Sequence, residues 1–261
     1  MVSVSRIKHI SSLKTPKFRE LYRQTVAEGS KLIREMLLTG YPFLEAFATP
    51  EWVDAQPQLA RNLGSALTLC SEKELERMSA LKSPQGVLVL LEIPEHTLPL
   101  SACPSTLYCD RISDPGNMGT ILRIADWFGI GQVITSPGSV ALFSPKVIQA
   151  SMGSIFRMHH TQATLETLLE AYSGKPHVYG AVMNGTPLQE VLPTQNPYVI
   201  VIGNESEGIS PETLQHCTHT VTIPGKDAGS VRGESAESLN AAIAAALLCY
   251  HFTGHHRNPI E

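Results

Sequence analysis

The sequence predicts an α/β protein with two domains. Short apolar segments alternate with segments of helical periodicity along the 261 residues, and this order is typical of mostly parallel sheets with helices on both faces. Two apolar segments, 86–91 (GVLVLL) and 198–202 (YVIVI), are continuous, as in strands covered on both faces. Residues 92–104 contain three prolines and no periodicity, which predicts a linker. We therefore expect a small N-terminal α/β domain over 1–97 and a larger domain over 104–261.

The N-terminal domain is expected to begin with helix. Apolar residues between 18 and 37 recur at i, i+3, i+4 and i+7, and Gly29 divides this stretch into two helices, of which Gly40 ends the second. The other predicted elements are strands at 43–48, 66–69 and 86–91 and helices at 51–63 and 71–81.

The C-terminal domain shows a longer alternation of strands and helices. Ser144-Pro145 predicts a helix start, with Ser as N-cap and Pro at the first helical position. The predicted strands are 107–109, 132–135, 177–182, 198–202 and 220–223, and the other helices are 118–128, 165–172, one from 210, and 238–251. Ligands of parallel sheets bind beyond the carboxyl ends of the strands, so the loops there are the candidates for function.

Composition excludes several classes of protein. Hydrophobic residues make up 43% and charged residues 17%, which is typical of a globular chain. No apolar segment reaches the roughly 18 residues of a membrane span, and the N-terminal residues contain no apolar core of the kind expected in a secretion signal. The five cysteines are scattered without a CxxC pair, which argues against a disulfide framework and a zinc site. We expect an intracellular, cytoplasmic protein without a metal.

Charge is distributed unevenly. Residues 1–40 carry eight Lys or Arg against three Glu, a balance of +5 that leaves −9 for the remainder. A basic N-terminal segment on an otherwise acidic chain is compatible with contacts to nucleic-acid phosphates, but from charge alone a solvated helix face is the favoured interpretation.

Three loops that follow predicted strands are rich in Gly and small polar residues: 110–120, which leads into a helix carrying Arg123, then 203–208, and then 223–240. Such loops let backbone groups approach a ligand closely. None of them has the GxGxxG or GxxxxGK[ST] pattern of nucleotide loops, and the chain contains no GxSxG or HExxH. His159-His160 and His255-His256 are adjacent pairs that diverge on regular elements, so ordinary structural residues are the favoured interpretation.

These loops resemble the motifs of the TrmH (SpoU) branch of the SPOUT RNA methyltransferases. Residues 114–123 (DPGNMGTILR) are similar to the first motif and residues 201–209 (VIGNESEGI) to the second. Ile223-Pro224 with residues 238–244 (SLNAAIA) is similar to the third. The segment around Glu28-Gly29 is similar to part of the small substrate-binding domain that many members carry.

The resemblance implies an enzyme that transfers methyl from S-adenosylmethionine to a ribose 2′-hydroxyl of RNA. Ribosomal RNA is the favoured substrate, and transfer RNA is the alternative. It also implies a catalytic domain with a trefoil knot, which sequence patterns alone would not propose because knots are so rare. By position, Gly203, Ile223 and Leu239 are expected to contact the cofactor. A homodimer through the knotted domain is expected as well.

The resemblance implies five catalytic residues: Arg123, to which it assigns the reaction itself, and Asn117, Glu205, Ser238 and Asn240. A guanidinium stays protonated in proteins, so Arg123 is expected to stabilise the 2′-oxygen and a nearby phosphate rather than to act as a base. Asn117 is expected to orient Arg123 or the ribose, unless it is only a helix N-cap. Glu205 is expected to pair with Arg123 or order its loop, and Asn240 and Ser238 to close the site, unless Ser238 only caps the last helix.

The third motif departs from the family pattern. Residues 225–237 form a longer loop than usual, which leaves open whether Ser230 or Ser238 is the matching serine. Three alternatives remain at this point: the same chemistry on transfer RNA, an RNA-binding assembly factor of this fold without catalysis, and an unrelated nucleotide-binding regulator.

Overall fold

The structure is a computed structural model that describes residues 2–94, 100, 102–194, 196–225 and 238–254. The chain forms two units: Met1–Glu95 with Ala141–Arg157, and His96–Val140 with Met158–Glu261. The domain limits predicted above, 1–97 and 104–261, stay a prediction. Most of the long loop 225–237 and the pair His255-His256 lie outside the described residues.

The first unit contains a four-stranded sheet in the order β1-β4-β2-β3, in which only β2 and β3 are parallel. Its strands are β1 (Gln24–Glu28), β2 (Glu45–Ala48), β3 (Leu67–Leu69) and β4 (Val87–Glu92). Its helices from the N-terminal segment are α1 (Val4–Ser12), α2 (Pro16–Tyr22), α3 (Ser30–Leu38), α4 (Pro50–Ala55), α5 (Pro57–Leu63) and α6 (Glu72–Met78). Ile7 and Ile10 of α1 are buried in one core cluster with Leu75 and Leu88.

The prediction of helix through 18–37 is wrong in its middle, where the chain forms β1. Arg23 adopts a left-handed conformation with φ of 51° and ends α2. Thr25 and Val26 then pair antiparallel with Leu91 and Leu90 of β4. Because strand pairing is a long-range interaction, it overrode a local periodicity that fitted a helix. The predicted single helix 51–63 is likewise two helices, since Pro57 opens a new one.

The segment 141–157 completes the first unit. Helix α8 (Pro145–Ser151) begins where the sequence predicted, with Ser144 as its N-cap. The buried hydroxyl of Thr25 in β1 donates to the carbonyl oxygen of Phe143 at 2.8 Å, and Arg157 forms an ion pair with Glu35 of α3. These contacts attach a segment that follows the linker in sequence to the N-terminal sheet.

The second unit contains a six-stranded sheet, parallel throughout, in the order β10-β8-β9-β5-β6-β7. Its strands are β5 (Ser105–Cys109), β6 (Gln132–Thr135), β7 (His159–Gln162), β8 (His177–Pro187), β9 (Tyr198–Ile202) and β10 (His219–Thr222). Its helices are α7 (Pro115–Phe128), α9 (Leu165–Glu170), α10 (Pro211–Leu214) and α11 (Ala241–Phe252).

Helices cover both faces of this sheet, as predicted. Val199 and Val201 of β9 are buried in a cluster with Leu165 and Leu168 of α9. Tyr198 points to the opposite face, where its ring lies 5.5 Å from that of Phe252 in α11. Burial on both sides explains why β9 is an unbroken apolar run.

Within the described ranges, no helix is long and apolar enough to cross a membrane. In the same residues, no group of three His, Cys, Asp or Glu side chains is placed to hold a metal ion.

Candidate active site

The site lies in the second unit, where loops follow the carboxyl ends of the adjacent strands β5 and β9. The buried carboxylate of Asp110, directly after β5, accepts a hydrogen bond from the Ser210 amide at 2.6 Å. The Asn204 side-chain amide, just after β9, donates to the carbonyl of Arg111 at 2.9 Å. The sheet therefore brings the first and second loops together, and polar contacts join them.

Helix α7 begins earlier than predicted, at residue 115 instead of 118. Asp114 is its N-cap and accepts from the Asn117 amide at 2.7 Å, and Pro115 takes the first helical position. The alternative in which Asn117 is the N-cap is therefore wrong. Its side chain lies in the first helical turn and is available for other contacts.

Asn117 is the centre of a network that connects all three loops. Its side-chain nitrogen donates to Oε1 of Glu205 in the second loop. Its side-chain oxygen accepts from Nδ2 of Asn240, after the third loop, at 2.9 Å. Three of the five predicted catalytic residues thus meet through direct hydrogen bonds, although 88 and 123 positions separate the partners of Asn117 from it in sequence.

Asn240 also begins the last helix. Its Oδ1 accepts from the amides of Ala242 and Ile243 at 3.0 and 3.3 Å, so α11 begins at 241 and not at the predicted 238. The suggestion that Ser238 caps this helix is wrong, because Asn240 has that role. Ser238 is exposed and lies outside the helix.

The second loop closes on itself in a tight turn. The amides and carbonyls of Asn204 and Gly208 exchange two hydrogen bonds, of 3.0 and 2.8 Å. A Cβ atom on Gly203 would lie 2.3 Å from the carbonyl carbon of Gly208, a distance that real Cβ atoms essentially never show. The loop's own backbone therefore requires glycine at 203.

Arg123 stands apart from the network. It is exposed, and its guanidinium forms no hydrogen bond or ion pair with the residues that the structure describes. It lies six positions after Asn117, so the two side chains point about 120° apart around α7. The expected Glu205–Arg123 pair is not formed, because the carboxylate of Glu205 accepts from Asn117 instead.

The remaining predicted cofactor residues flank the third loop. Ile223 is half-buried just after β10, and Leu239 is 46% exposed just before Asn240. An apolar side chain left open to solvent beside a polar network suits a ligand with both apolar and polar parts.

Sequence reasoning missed the structural roles of Asp110, Arg111 and Asn204. Asn204 holds the second loop in shape, since its Oδ1 accepts from the amides of Ser206 and Glu207 at 2.9 and 3.2 Å. All three lie within two residues of the end of a buried strand, and this position is the signal that could have identified them.

Comparisons with known proteins identify related chains. Residues 104–250 match the model of the SpoU rRNA Methylase family, and residues 5–89 match the MRM3-like substrate binding domain. The chain is 28% identical, over 95% of its length and 96% of the relative's, to the Bacillus subtilis 23S rRNA (guanosine(2553)-2′-O)-methyltransferase RlmP.

Two solved structures are similar along nearly the whole chain. A Porphyromonas gingivalis protein described as an RNA methyltransferase of the TrmH family is 36% identical, with a TM-score of 0.81 and coverage of 97% of this chain and 98% of the other. An AdoMet-bound rRNA methyltransferase from Sinorhizobium meliloti is 24% identical, with a TM-score of 0.82 and coverage of 99% and 98%. At that identity, the second likeness concerns the fold alone.

Proposed function

Because the chain belongs to the SpoU rRNA methylase family, we propose that it transfers methyl from S-adenosylmethionine to a ribose 2′-hydroxyl of ribosomal RNA. The observation that carries the proposal is the hydrogen-bonded set of Asn117, Glu205 and Asn240, which come from three separate loops. The RNA named for RlmP is 23S rRNA, and this favours ribosomal over transfer RNA here.

Gly203, Ile223 and Leu239 are the residues proposed to hold the cofactor. Leu239 offers an exposed apolar surface, and Gly203, which has no side chain, lets a ligand approach the backbone beside the second loop closely. The described residues therefore fit a molecule that has an apolar ring and charged groups. The cofactor supplies an electrophilic methyl group, and the remaining chemistry depends on the chain's own side chains.

Arg123 is the proposed catalytic residue. A ribose hydroxyl is a weak nucleophile, so charge that develops on its oxygen must be stabilised. The exposed guanidinium of Arg123 is free of partners among the described residues and can donate to that oxygen or to the adjacent phosphate. Its side chain carries a permanent charge and is not the proton acceptor.

Asn117, Glu205, Asn240 and Ser238 are proposed to shape the site around the ribose. The Asn117 amide holds the Glu205 carboxylate in one orientation, and Asn240 holds Asn117 in turn. Such a chain fixes side chains that would otherwise rotate freely, and fixed geometry is what methyl transfer between two bound substrates requires. The exposed Ser238 is available to a substrate on the open side.

We propose that the second unit forms a homodimer. Helices α7 and α11 pack together and carry four exposed apolar side chains, those of Trp127, Ile243, Leu247 and Tyr250. Trp127 is 82% exposed, and a large aromatic side chain left in water is typical of an interface. Leu247→Glu should reduce the mass measured by light scattering from two chains to one, whereas Leu192→Glu, at an exposed leucine in another segment, should not.

The trefoil knot is part of the same proposal. The contact of Asn240 with Asn117 supports a chain path in which the end of the third loop lies against the first loop. The test is a single-molecule pulling experiment on the native chain. If the chain is knotted, the knot should tighten under force, and the unfolded chain should have a shorter contour length than an unknotted chain of 261 residues.

The N-terminal residues are proposed to select the RNA in the cytoplasm. Not all of their basic side chains are available: Arg19 is buried and donates to the carbonyl of Leu13, and Arg6 pairs with Glu45 at 2.6 Å. Lys8, Lys17, Lys31 and Arg34 are exposed and remain for phosphate contacts. RNA affinity that falls steeply with salt is expected from such contacts.

The test is methylation of unmodified RNA. The purified chain, labelled S-adenosylmethionine and either in-vitro transcribed ribosomal RNA or bulk transfer RNA are incubated, and digested nucleosides are analysed by mass spectrometry for 2′-O-methyl groups. Ribosomal RNA should be methylated, and Arg123→Lys should lose most of the rate while cofactor affinity stays within a few-fold. Methylation of transfer RNA alone would redirect the substrate assignment, and RNA binding without methylation would identify an assembly factor.

A further inference from the structure

Arg111 has a backbone conformation that is unfavourable for an arginine. Its φ is 55°, in the left-handed region, where a side chain is costly and glycine or asparagine is common. The conformation is held from both sides: its amide donates to the Ser136 hydroxyl at 2.8 Å, and its carbonyl accepts from Asn204 at 2.9 Å. The turn by itself does not explain why an arginine occupies this position, because a smaller residue would form it at lower cost.

The side chain of Arg111 makes few polar contacts with the described residues. Its Nη1 lies 2.8 Å from Oε2 of Glu207, and its buried Nε has no hydrogen-bond partner among the described residues. A guanidinium has five N–H donors arranged to bind oxyanions in pairs. A buried donor without an acceptor is rare and calls for an explanation.

The ion pair is placed where it can open. The side chains of Arg111 and Glu207 are 36% and 67% exposed, and ion pairs between exposed side chains are weak. Glu207 belongs to the same turn as Glu205, which contacts Asn117, so Arg111 lies at the rim of the candidate site. An anionic group with oxygen acceptors, such as a phosphate, can therefore replace the carboxylate of Glu207 on the guanidinium of Arg111.

We propose that Arg111 binds a phosphate of the substrate RNA and that Glu207 occupies its guanidinium until the RNA arrives. The inference rests on the proposed function, since every ribose 2′-hydroxyl in RNA is next to a phosphodiester. Arg111 is a binding residue that positions the strand, whereas Arg123 acts at the reacting oxygen. Release of Glu207 lets the guanidinium turn and gives Nε an acceptor.

The experiment compares three variants of the full chain: Arg111→Gln, Arg111→Gly and Glu207→Gln. Arg111→Gly is expected to fold because glycine readily adopts the left-handed conformation. Lys175→Gln is the control for charge. It removes an exposed charge just before β8, at the amino ends of the strands and away from the candidate site. Met152→Gly, at another non-glycine residue with positive φ, is the control for the backbone change.

The readouts are the affinity for fluorescein-labelled, in-vitro transcribed ribosomal RNA as a function of salt, the KM and kcat for its methylation, and the affinity for S-adenosylmethionine. Both Arg111 variants should raise KM about tenfold, as expected for one charge-assisted hydrogen-bonded contact. They should also lower the salt slope by roughly 0.7 to 0.9, the contribution of one phosphate. Glu207→Gln should tighten RNA binding a few-fold, and cofactor affinity should not change.

An unchanged salt slope and KM in both Arg111 variants, with the wild-type chain active, would overturn this inference and leave the proposed function intact. Weaker RNA binding by Glu207→Gln would overturn it too, because the carboxylate would then assist rather than compete. Failure of the wild-type chain to methylate any RNA would instead overturn the proposed function, while the salt slope of RNA binding would still decide the role of Arg111.

Discussion

Replacing Asn117 by Asp exchanges the side-chain NH2 group for an oxygen atom at the centre of the network, and the two side chains have nearly the same shape. The wild-type side chain donates to Glu205 and accepts from Asn240. In the variant, a carboxylate would still accept from Asn240 but would face the carboxylate of Glu205 without a proton to donate. Asn117→Asp therefore breaks one of the two contacts selectively.

The magnitude follows from these two contacts. A hydrogen bond to a charged group contributes about 1.5–3 kcal/mol. Two like charges about 4 Å apart repel by about 1 kcal/mol in water and more where the site is partly buried. The network is partly exposed, so we expect a total of about 3 kcal/mol, which corresponds to a loss of about 100-fold in kcat/KM.

The assay is single-turnover methylation of ribosomal RNA across a range of pH, with cofactor affinity and thermal unfolding measured in parallel. Asn117→Ala is the comparison, because it loses both contacts without adding a charge. We expect the Asp variant to be the slower of the two near neutral pH. As the pH falls, a proton shared between the two carboxylates should restore part of its rate relative to wild type.

Two results would refute the reasoning. An Asp variant as active as wild type would mean that the contact between Asn117 and Glu205 has no role in the reaction. An Ala variant slower than the Asp variant at every pH would mean that the contact with Asn240 dominates instead.

Three further predictions concern other parts of the chain. Gly203→Ala should abolish cofactor binding measured by calorimetry while the melting temperature shows that the sheet remains folded, since the added Cβ would meet the backbone of Gly208 at 2.3 Å. Burial raises the pKa of Glu28, although the hydrogen bonds from the Ser79 hydroxyl and the Ala80 amide act in the opposite direction. The contribution of Glu28 to the free energy of unfolding is therefore complete below the ordinary pKa of 4.5 and is lost as the pH rises through the higher folded pKa. Glu28→Gln should flatten the pH dependence of the melting temperature, and an unchanged profile would contradict this. Burial raises the pKa of the Cys249 thiol to about 12, so a thiol reagent should modify this residue only after denaturation, as peptide mapping can measure.

Local patterns predicted the second unit well. Continuous apolar runs mark strands buried on both faces, and β9 spans the same residues, 198–202, that the sequence indicated. The three motifs also pointed to loops that meet in the structure and form the candidate site, because ligand loops of a parallel sheet follow its strands. Helix ends were less accurate: the starts of α7 and α11 depend on caps by Asp114 and Asn240, whose side chains can cap or make other contacts.

Periodicity failed where distant pairing decided the structure. Thr25 and Val26 fit a helical pattern, yet they form β1 because β4, more than sixty residues later, supplies the hydrogen bonds of a strand. The same limit applies to charge. Of the eight basic residues in 1–40, the buried Arg19 serves backbone carbonyls within the first unit and is not available to RNA.

By itself, the sequence determined the α/β class, the order of most elements and the loops that form the candidate site, since these depend on hydrophobic patterning and turn residues close together in the chain. The tertiary structure alone decided which polar groups meet there. It joined Asn117 to Glu205 and Asn240, separated Arg123 from Glu205, and placed Glu207 on the guanidinium of Arg111. Each of these contacts depends on the packing of a parallel sheet, which brings the ends of distant strands to one edge, and no local pattern encodes the distance between them.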